Sequence, residues 1–115
     1  MPVEISLVSD EPVTSALVFD AAASVDATLA PRLLNGGWAM QLVDTDDVPV
    51  LTVELSRFVD DPYDVERLTG PLSGIGPVWW TEATAPWGAK GGSGVRIARA
   101  LGVLLDARVV VADGR

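Results

Sequence analysis

The last third of the chain carries the most regular pattern, and it begins with Pro77-Val78-Trp79-Trp80-Thr81-Glu82-Ala83, which predicts a strand. A glycine-dense segment, Trp87-Gly88-Ala89-Lys90-Gly91-Gly92-Ser93-Gly94, follows and predicts a loop. Residues 95–105 repeat apolar side chains at helical spacing, and Arg108-Val109-Val110-Val111-Ala112 predicts a second buried strand. We therefore expect a C-terminal β-loop-α-β unit, either a parallel crossover or one half of a ferredoxin-like fold.

Upstream of this unit, the clearest element is a hairpin. Residues 38–43 alternate, with Trp38, Met40 and Leu42 on one face, and residues 51–56 alternate in the same way. Residues 3–8 predict a further half-buried strand. Residues 14–20 favour a strand over a helix, although the alanines that follow at 21–23 favour a helix.

Two short helices complete the prediction. One runs from Ser24 or Thr28 to Asn35 and stops at Gly36 and Gly37. The other covers residues 61–68, with Asp61 as its N-cap, and a loop over 69–77 follows it. The order is then β-β-α-β-β-α-β-α-β. We expect one α+β domain over residues 1–115, a two-layer sandwich with a mixed, mainly antiparallel sheet and two or three helices.

The composition removes several classes of chemistry. The chain has no cysteine and no histidine, so it has no disulfide, no thiolate site and no imidazole base. The residues from Met1 to Glu4 lack the basic region and apolar core typical of a signal peptide, and no apolar run is long enough to span a membrane, so we expect a cytoplasmic protein without membrane association. Without these groups, catalysis would depend on Ser93 with Lys90, or on Lys90 with Glu82. We expect no enzymatic activity and no cofactor.

Charge is distributed unevenly. The net charge is −8. Residues 1–87 hold 14 acids and three bases, which gives −11, whereas residues 88–115 hold two acids and five bases, which gives +3. Such an excess repels phosphate backbones and predicts a protein partner with a basic surface rather than nucleic acid. Acidity of this kind also serves solubility alone.

The glycine-dense segment is the one stretch that resembles a ligand-binding motif, because a strand, a glycine turn and a helix N-terminus can cradle an anion. It departs from the known phosphate loops, since Lys90 precedes the glycines and Ile97 stands where the dinucleotide fingerprint needs glycine. It resembles the coenzyme A loop of acetyltransferases, with the basic position shifted by one residue. The candidate anion-binding residues of this alternative are Lys90, Gly91, Gly92, Ser93 and Gly94.

Tryptophans and acidic turns are the candidate partner contacts. Trp79 and Trp80 are neighbours in a strand and leave it on opposite faces, so one of them, together with Trp87, is expected to anchor a partner. Two clusters of acids are expected to attract that partner. The first could also begin a calcium loop, but Pro49 and Leu55 occupy the positions that need glycine and glutamate, and no metal site is expected. The acids are Asp44, Asp46 and Asp47, then Asp60, Asp61 and Asp64.

In its size, acidity and α+β pattern the chain resembles small acidic bacterial toxin-immunity proteins, including the sequence Asn35-Gly36-Gly37-Trp38 and the Ala-Leu-Gly near Gly102. The resemblance implies an inhibitor that neutralises a cognate toxin or enzyme by covering its active site. Two alternatives stay open: a small-ligand domain that binds a nucleotide or coenzyme A at the glycine segment, and a homo-oligomerisation domain, with a homodimer as its simplest form.

Overall fold

A computed structural model describes residues 2–59 and 78–112, so the helix predicted over 61–68 and the loop over 69–77 lie outside the described residues. A 3-10 turn, Asn35–Gly37, links the second and third strands. The elements in chain order are β1 (Val3–Ser9), α1 (Ser15–Val25), β2 (Ala30–Leu34), β3 (Ala39–Val43), β4 (Pro49–Glu54), β5 (Arg57–Val59), β6 (Val78–Ala85), α2 (Ala89–Leu105) and β7 (Arg108–Ala112).

The strands form one open sheet in the order β2-β3-β4-β6-β1-β7, and β5 follows β4 along the same edge of β6. Every described pairing is antiparallel. Since β1 lies between β6 and β7 and is antiparallel to both, β6 and β7 run parallel to each other. The C-terminal unit is therefore a split β-α-β arrangement, and the predicted α+β class is confirmed.

Both helices share one hydrophobic core with a single face of the sheet. Ile5 and Leu7 of β1 are fully buried there together with Ile97 and Leu101 of α2. The opposite face, called the open face below, has a smaller buried cluster built around Trp80. The helices thus cover one side of the sheet, as a two-layer sandwich requires. None of the helices in the described part of the chain is both long and apolar enough to cross a membrane.

Two predicted elements in the first third are wrong. Residues 14–20 belong to a helix, α1, because the Thr14 side chain caps it by accepting from the Leu17 N–H at 3.3 Å and Val18, Ala21 and Ala22 form its buried side. Residues 30–34 form the edge strand β2, although a helix was predicted there. Pairing with β3 decides this conformation, and an edge strand tolerates Pro31.

The predicted glycine loop is also wrong. Helix α2 begins at Ala89, with Gly88 at its N-cap, and the glycines that follow lie inside the helix. A Cβ atom on Gly91 would overlap the Pro86 carbonyl oxygen. One on Gly94 would overlap the Val50 carbonyl oxygen and lie 2.9 Å from the Ala85 Cβ. These glycines let the helix lie directly against the sheet backbone.

Replacing Gly94 by Ala tests this contact. The added methyl group has no room, so we expect the free energy of unfolding to fall by about 1–3 kcal/mol. Gly92 is the matched control, because it lies in the same helical turn with open space around it. Gly92→Ala should raise stability by up to about 1 kcal/mol through better helix propensity. Urea denaturation measures both, and equal stabilities of the two variants would contradict the packing argument.

Candidate functional site

The two ends of the sheet bring together different groups of side chains. The acidic-turn end contains the β3–β4 turn, residues 44–48, and the start of α2. Trp87, which follows β6, lies at this end as well. The Trp38 end contains the start of β3, the end of β4 and the start of α1. The length of β3 separates the ends by about 17 Å, at about 3.3 Å per residue.

At the acidic-turn end, two of the three predicted aspartates are used to build the turn. Asp44 accepts from the backbone N–H groups of Asp46 and Val48 at 2.9 and 3.0 Å. Asp47 has a left-handed backbone (φ 62°) and pairs with Arg32 on β2 at 3.2 Å. Asp46 is exposed, and no described residue bonds its carboxylate. Asp46 is therefore the aspartate of this turn with a carboxylate left for a partner.

Asp26 stands between α1 and β2. Its carboxylate accepts from the Thr28 hydroxyl at 2.6 Å and from the Thr28 backbone N–H at 2.9 Å. The hydroxyl bond is the main cause that lowers the pKa of Asp26 below its ordinary value of 3.8, while the Asp44 charge acts to raise it. The lowered pKa means that the folded state stabilises the charged form of Asp26. This contribution to the free energy of unfolding is lost as pH falls through that pKa.

The candidate anion-binding residues lie in the first turns of α2. Gly91 and Gly94 are buried and face the sheet, and packing alone accounts for these two glycines. Ser93 accepts a hydrogen bond from Arg96 of the same helix at 3.4 Å. Glu82 lies on the open face, where it pairs with Arg57 at 3.5 Å, whereas α2 packs on the other face of the sheet.

The adjacent tryptophans of β6 leave on opposite faces, as predicted. Trp80 is on the open face and only 7% exposed, packed with Val8 and Val78 under the Arg57 guanidinium, 5.7 Å from the ring centre. Its indole N–H is buried without a hydrogen-bond partner among the described residues. Trp79 is half-buried on the helix face, edge-on to Phe58 with ring centres 5.3 Å apart. Neither ring is an exposed anchor, whereas Trp87 is 57% exposed.

The most exposed tryptophan is Trp38, at 68%, which the alternating pattern placed on the buried face of its strand. Leu33, also at 68%, and Leu55, at 55%, are large apolar residues exposed beside it. These three side chains line a groove of about 350 Å³, called the Trp38 groove below. Its lining is completed by Val13, Thr14, Ser15, Val18, Gly37, Ala39, Met40, Val53 and Glu54.

A buried pair of hydroxyl groups holds one wall of the Trp38 groove in place. The Ser56 hydroxyl lies 2.6 Å from the Thr81 hydroxyl and accepts from the Val13 backbone N–H at 2.8 Å. Both Ser56 and Thr81 are buried. The residues that precede α1 are thereby tied to the centre of the sheet, which fixes the distance across the groove.

The glycine pair before Trp38 is a sequence signal for this groove. The alternation of apolar residues from Trp38 to Leu42 favoured a different interpretation, a buried Trp38. Gly36 and Gly37 both have positive φ, 68° and 101°, so the chain turns just before Trp38. Strand β3 begins only at Ala39, and Trp38 is therefore outside the alternation that buries Met40 and Leu42. A glycine pair directly before a tryptophan indicates a turn that presents the ring.

The second predicted acidic cluster cannot be placed relative to the Trp38 groove. Asp60, Asp61 and Asp64 fall outside the described residues. Within residues 2–59 and 78–112, no group of three or more acidic side chains is arranged to hold a metal ion.

Comparisons with protein-family models, with curated proteins and with solved structures find no match to this chain.

Removing the Ser56 hydroxyl tests the wall of the Trp38 groove. Ser56→Ala leaves the Val13 N–H and the Thr81 hydroxyl without their buried partner, so we expect a loss of about 1–3 kcal/mol in the free energy of unfolding. Ser24→Ala is the control, because that hydroxyl bonds only the Ala21 carbonyl within α1 and is exposed. Its effect should stay within about 0.5 kcal/mol. Similar losses for both variants would contradict the bridging role.

Proposed function

We propose that this chain is a small acidic protein-binding module that neutralises a basic partner, a toxin or an enzyme, by covering its surface. The observation that carries the proposal is the Trp38 groove. Leu33, Trp38 and Leu55 are each more than half exposed around it, whereas its floor includes the buried side chains of Val18 and Met40. Grouped exposed apolar residues beside a well-packed core are typical of protein interfaces.

Tryptophan makes this surface suited to tight binding. A Trp side chain offers a large apolar area with few rotatable bonds, and it is enriched among the residues that dominate interface energies. The groove beside Trp38 can receive an apolar side chain from a partner and exclude water around it. A rigid anchor next to a preformed groove limits the entropy lost on binding.

The net charge of −8 favours a basic partner. Asp46 and Trp87 lie at the acidic-turn end, about 17 Å from Trp38 along β3, at about 3.3 Å per residue. We therefore assign the acids of the 44–47 turn to long-range attraction and the Trp38 groove to contact. This division supports the immunity-type inhibitor implied by the resemblance, because such a protein must reach its target quickly and then stay bound. In this proposal Trp38 replaces Trp79, Trp80 and Trp87 as the anchor.

The second candidate is a homo-oligomer in which the same groove is buried against another copy. The exposed Leu33, Trp38 and Leu55 favour this candidate equally, because a homodimer interface is also apolar. Sedimentation of the purified chain over a range of concentrations separates the two. A monomer at all concentrations leaves the groove for a different protein.

Trp38→Ala tests the proposed contact in a reconstituted complex. The partner is first captured from source cells with the tagged wild-type chain, then purified and titrated calorimetrically. Because a buried interface Trp contributes about 2 kcal/mol or more, we expect the Kd to rise on the order of 30-fold. Trp87→Ala is the matched control, an exposed tryptophan at the other end of the sheet, with an expected change below about threefold. Equal losses, or none for Trp38→Ala, would reject the groove as the binding surface.

A second prediction concerns the rate of association. Replacing Asp46, Asp47, Asp60 and Asp61 by Asn removes four negative charges, so we expect the association rate constant to fall about tenfold at low ionic strength. Stopped-flow mixing with the captured partner measures it. The difference should shrink as added salt screens the charges. An on-rate that is unchanged at low salt would refute the attraction assigned to these four acids.

A further inference from the structure

A second groove adjoins the Trp38 groove and shares a wall with it. The shared wall consists of Trp38, Ala39, Glu54 and Leu55. The second groove, of about 240 Å³, lies on the open-face side and also includes Arg57 and Glu82. A ridge of exposed apolar side chains thus has an apolar groove on one side and a charged groove on the other.

The second groove holds an excess of negative charge. The pairing of β4 with β6 ends with Val53 opposite Ala83, and the next residues on the two strands, Glu54 and Glu82, both line this groove. Glu82 pairs with Arg57 at 3.5 Å, but these side chains are 44% and 65% exposed, which makes the pair weak. Glu54 forms no ion pair with any described residue. Like charges side by side on neighbouring strands repel, and a cation placed between them would relieve the repulsion.

We propose that the two grooves together recognise a protein segment that carries a large apolar side chain beside an arginine or lysine. The inference rests on the proposed function and specifies the chemistry of its partner. The apolar side chain enters the Trp38 groove, and the cationic side chain crosses the ridge to Glu54. There the exposed Trp38 ring offers its face to the cation, and the Glu54 carboxylate offers an acceptor.

The composition of the second groove favours an organic cation over a metal ion. The groove offers two carboxylates beside an aromatic ring, whereas a divalent metal requires about six oxygen ligands. A guanidinium or ammonium group with an aliphatic stem instead fits a wall that is partly apolar and partly anionic. The recognised group is therefore the side chain of a basic residue.

A phage-displayed random peptide library, selected on the wild-type chain and depleted on Trp38→Ala, tests the inference without a known partner. The enriched peptides should share an apolar residue next to Arg or Lys. Affinity for a synthetic copy should fall roughly fivefold in Glu54→Gln at low ionic strength, an effect of about 1 kcal/mol, and much less at high salt. Glu4→Gln is the matched control, an exposed glutamate on the open face of β1.

A double-mutant cycle makes the assignment specific. Replacing the basic residue of the peptide by Ala should weaken binding to the wild-type chain and have little further effect in Glu54→Gln, because both changes remove the same interaction. Trp38→Leu keeps an apolar wall and removes the aromatic face, so it should reduce the preference for the basic residue more than the affinity for the apolar one. Each exposed variant is checked for unchanged unfolding in urea.

The outcomes separate this inference from the proposed function. Peptides without a basic residue, additive effects in the cycle, or binding that persists in Trp38→Ala would each overturn the inference. Failure to enrich any peptide would also overturn it. None of these results alters the reconstituted complex with the captured partner, which decides the proposed function on its own.

Discussion

The contact between α2 and the sheet backbone is the constraint on which this architecture depends. Gly91 and Gly94 have no side chain, so the helix rests directly on the carbonyl groups of Pro86 and Val50. Near the other end of the helix, Gly102 leaves room for the Val109 side chain of β7. Held at both ends, α2 lies over the strands β4, β6, β1 and β7, and its apolar side chains fill the core. The conformational cost of three glycines in a helix is offset by this close packing.

The position of α2 also explains why a groove is exposed. Helix α1 packs mainly against α2, and the helix layer does not extend fully over β2 and the start of β3. Leu33 and Trp38 are on the part of the sheet that this layer leaves uncovered. The buried side chains of Met40 and Val53 line this groove, so the packing of the sheet sets its shape. A preformed groove on a rigid sheet loses little entropy when it is occupied.

The elements predicted correctly are those whose side chains alternate because the sheet is buried on one face. This applies to β1, β6 and the β3–β4 hairpin, and the run of valines identified β7. Strand β2 was not predicted because it is exposed on both faces and its sequence does not alternate between apolar and polar residues. Only its pairing with β3 makes it a strand. The glycines of α2 predicted a loop because glycine has a low helix propensity. The packing that favours glycine at these positions comes from the sheet, which the local sequence does not show. For the same reason the alternating pattern predicted a buried Trp38 and an exposed ring at Trp79 or Trp80, since exposure depends on which strands the helices cover.

Charge alone says little about where a partner binds, because acidic side chains here serve different purposes. Asp44 and Asp47 close a turn, and Asp26 is bonded to Thr28, so their carboxylates already have partners. Glu54 is different, because it lies beside an exposed ring and next to another carboxylate, with no described cation paired to it. A carboxylate satisfied within the fold adds to the long-range field but gains little from contact, whereas an unpaired one beside an apolar anchor gains from being covered together with a cation. Specific binding is therefore expected where an unpaired charge and an exposed anchor line the same groove, as Glu54 and Trp38 do.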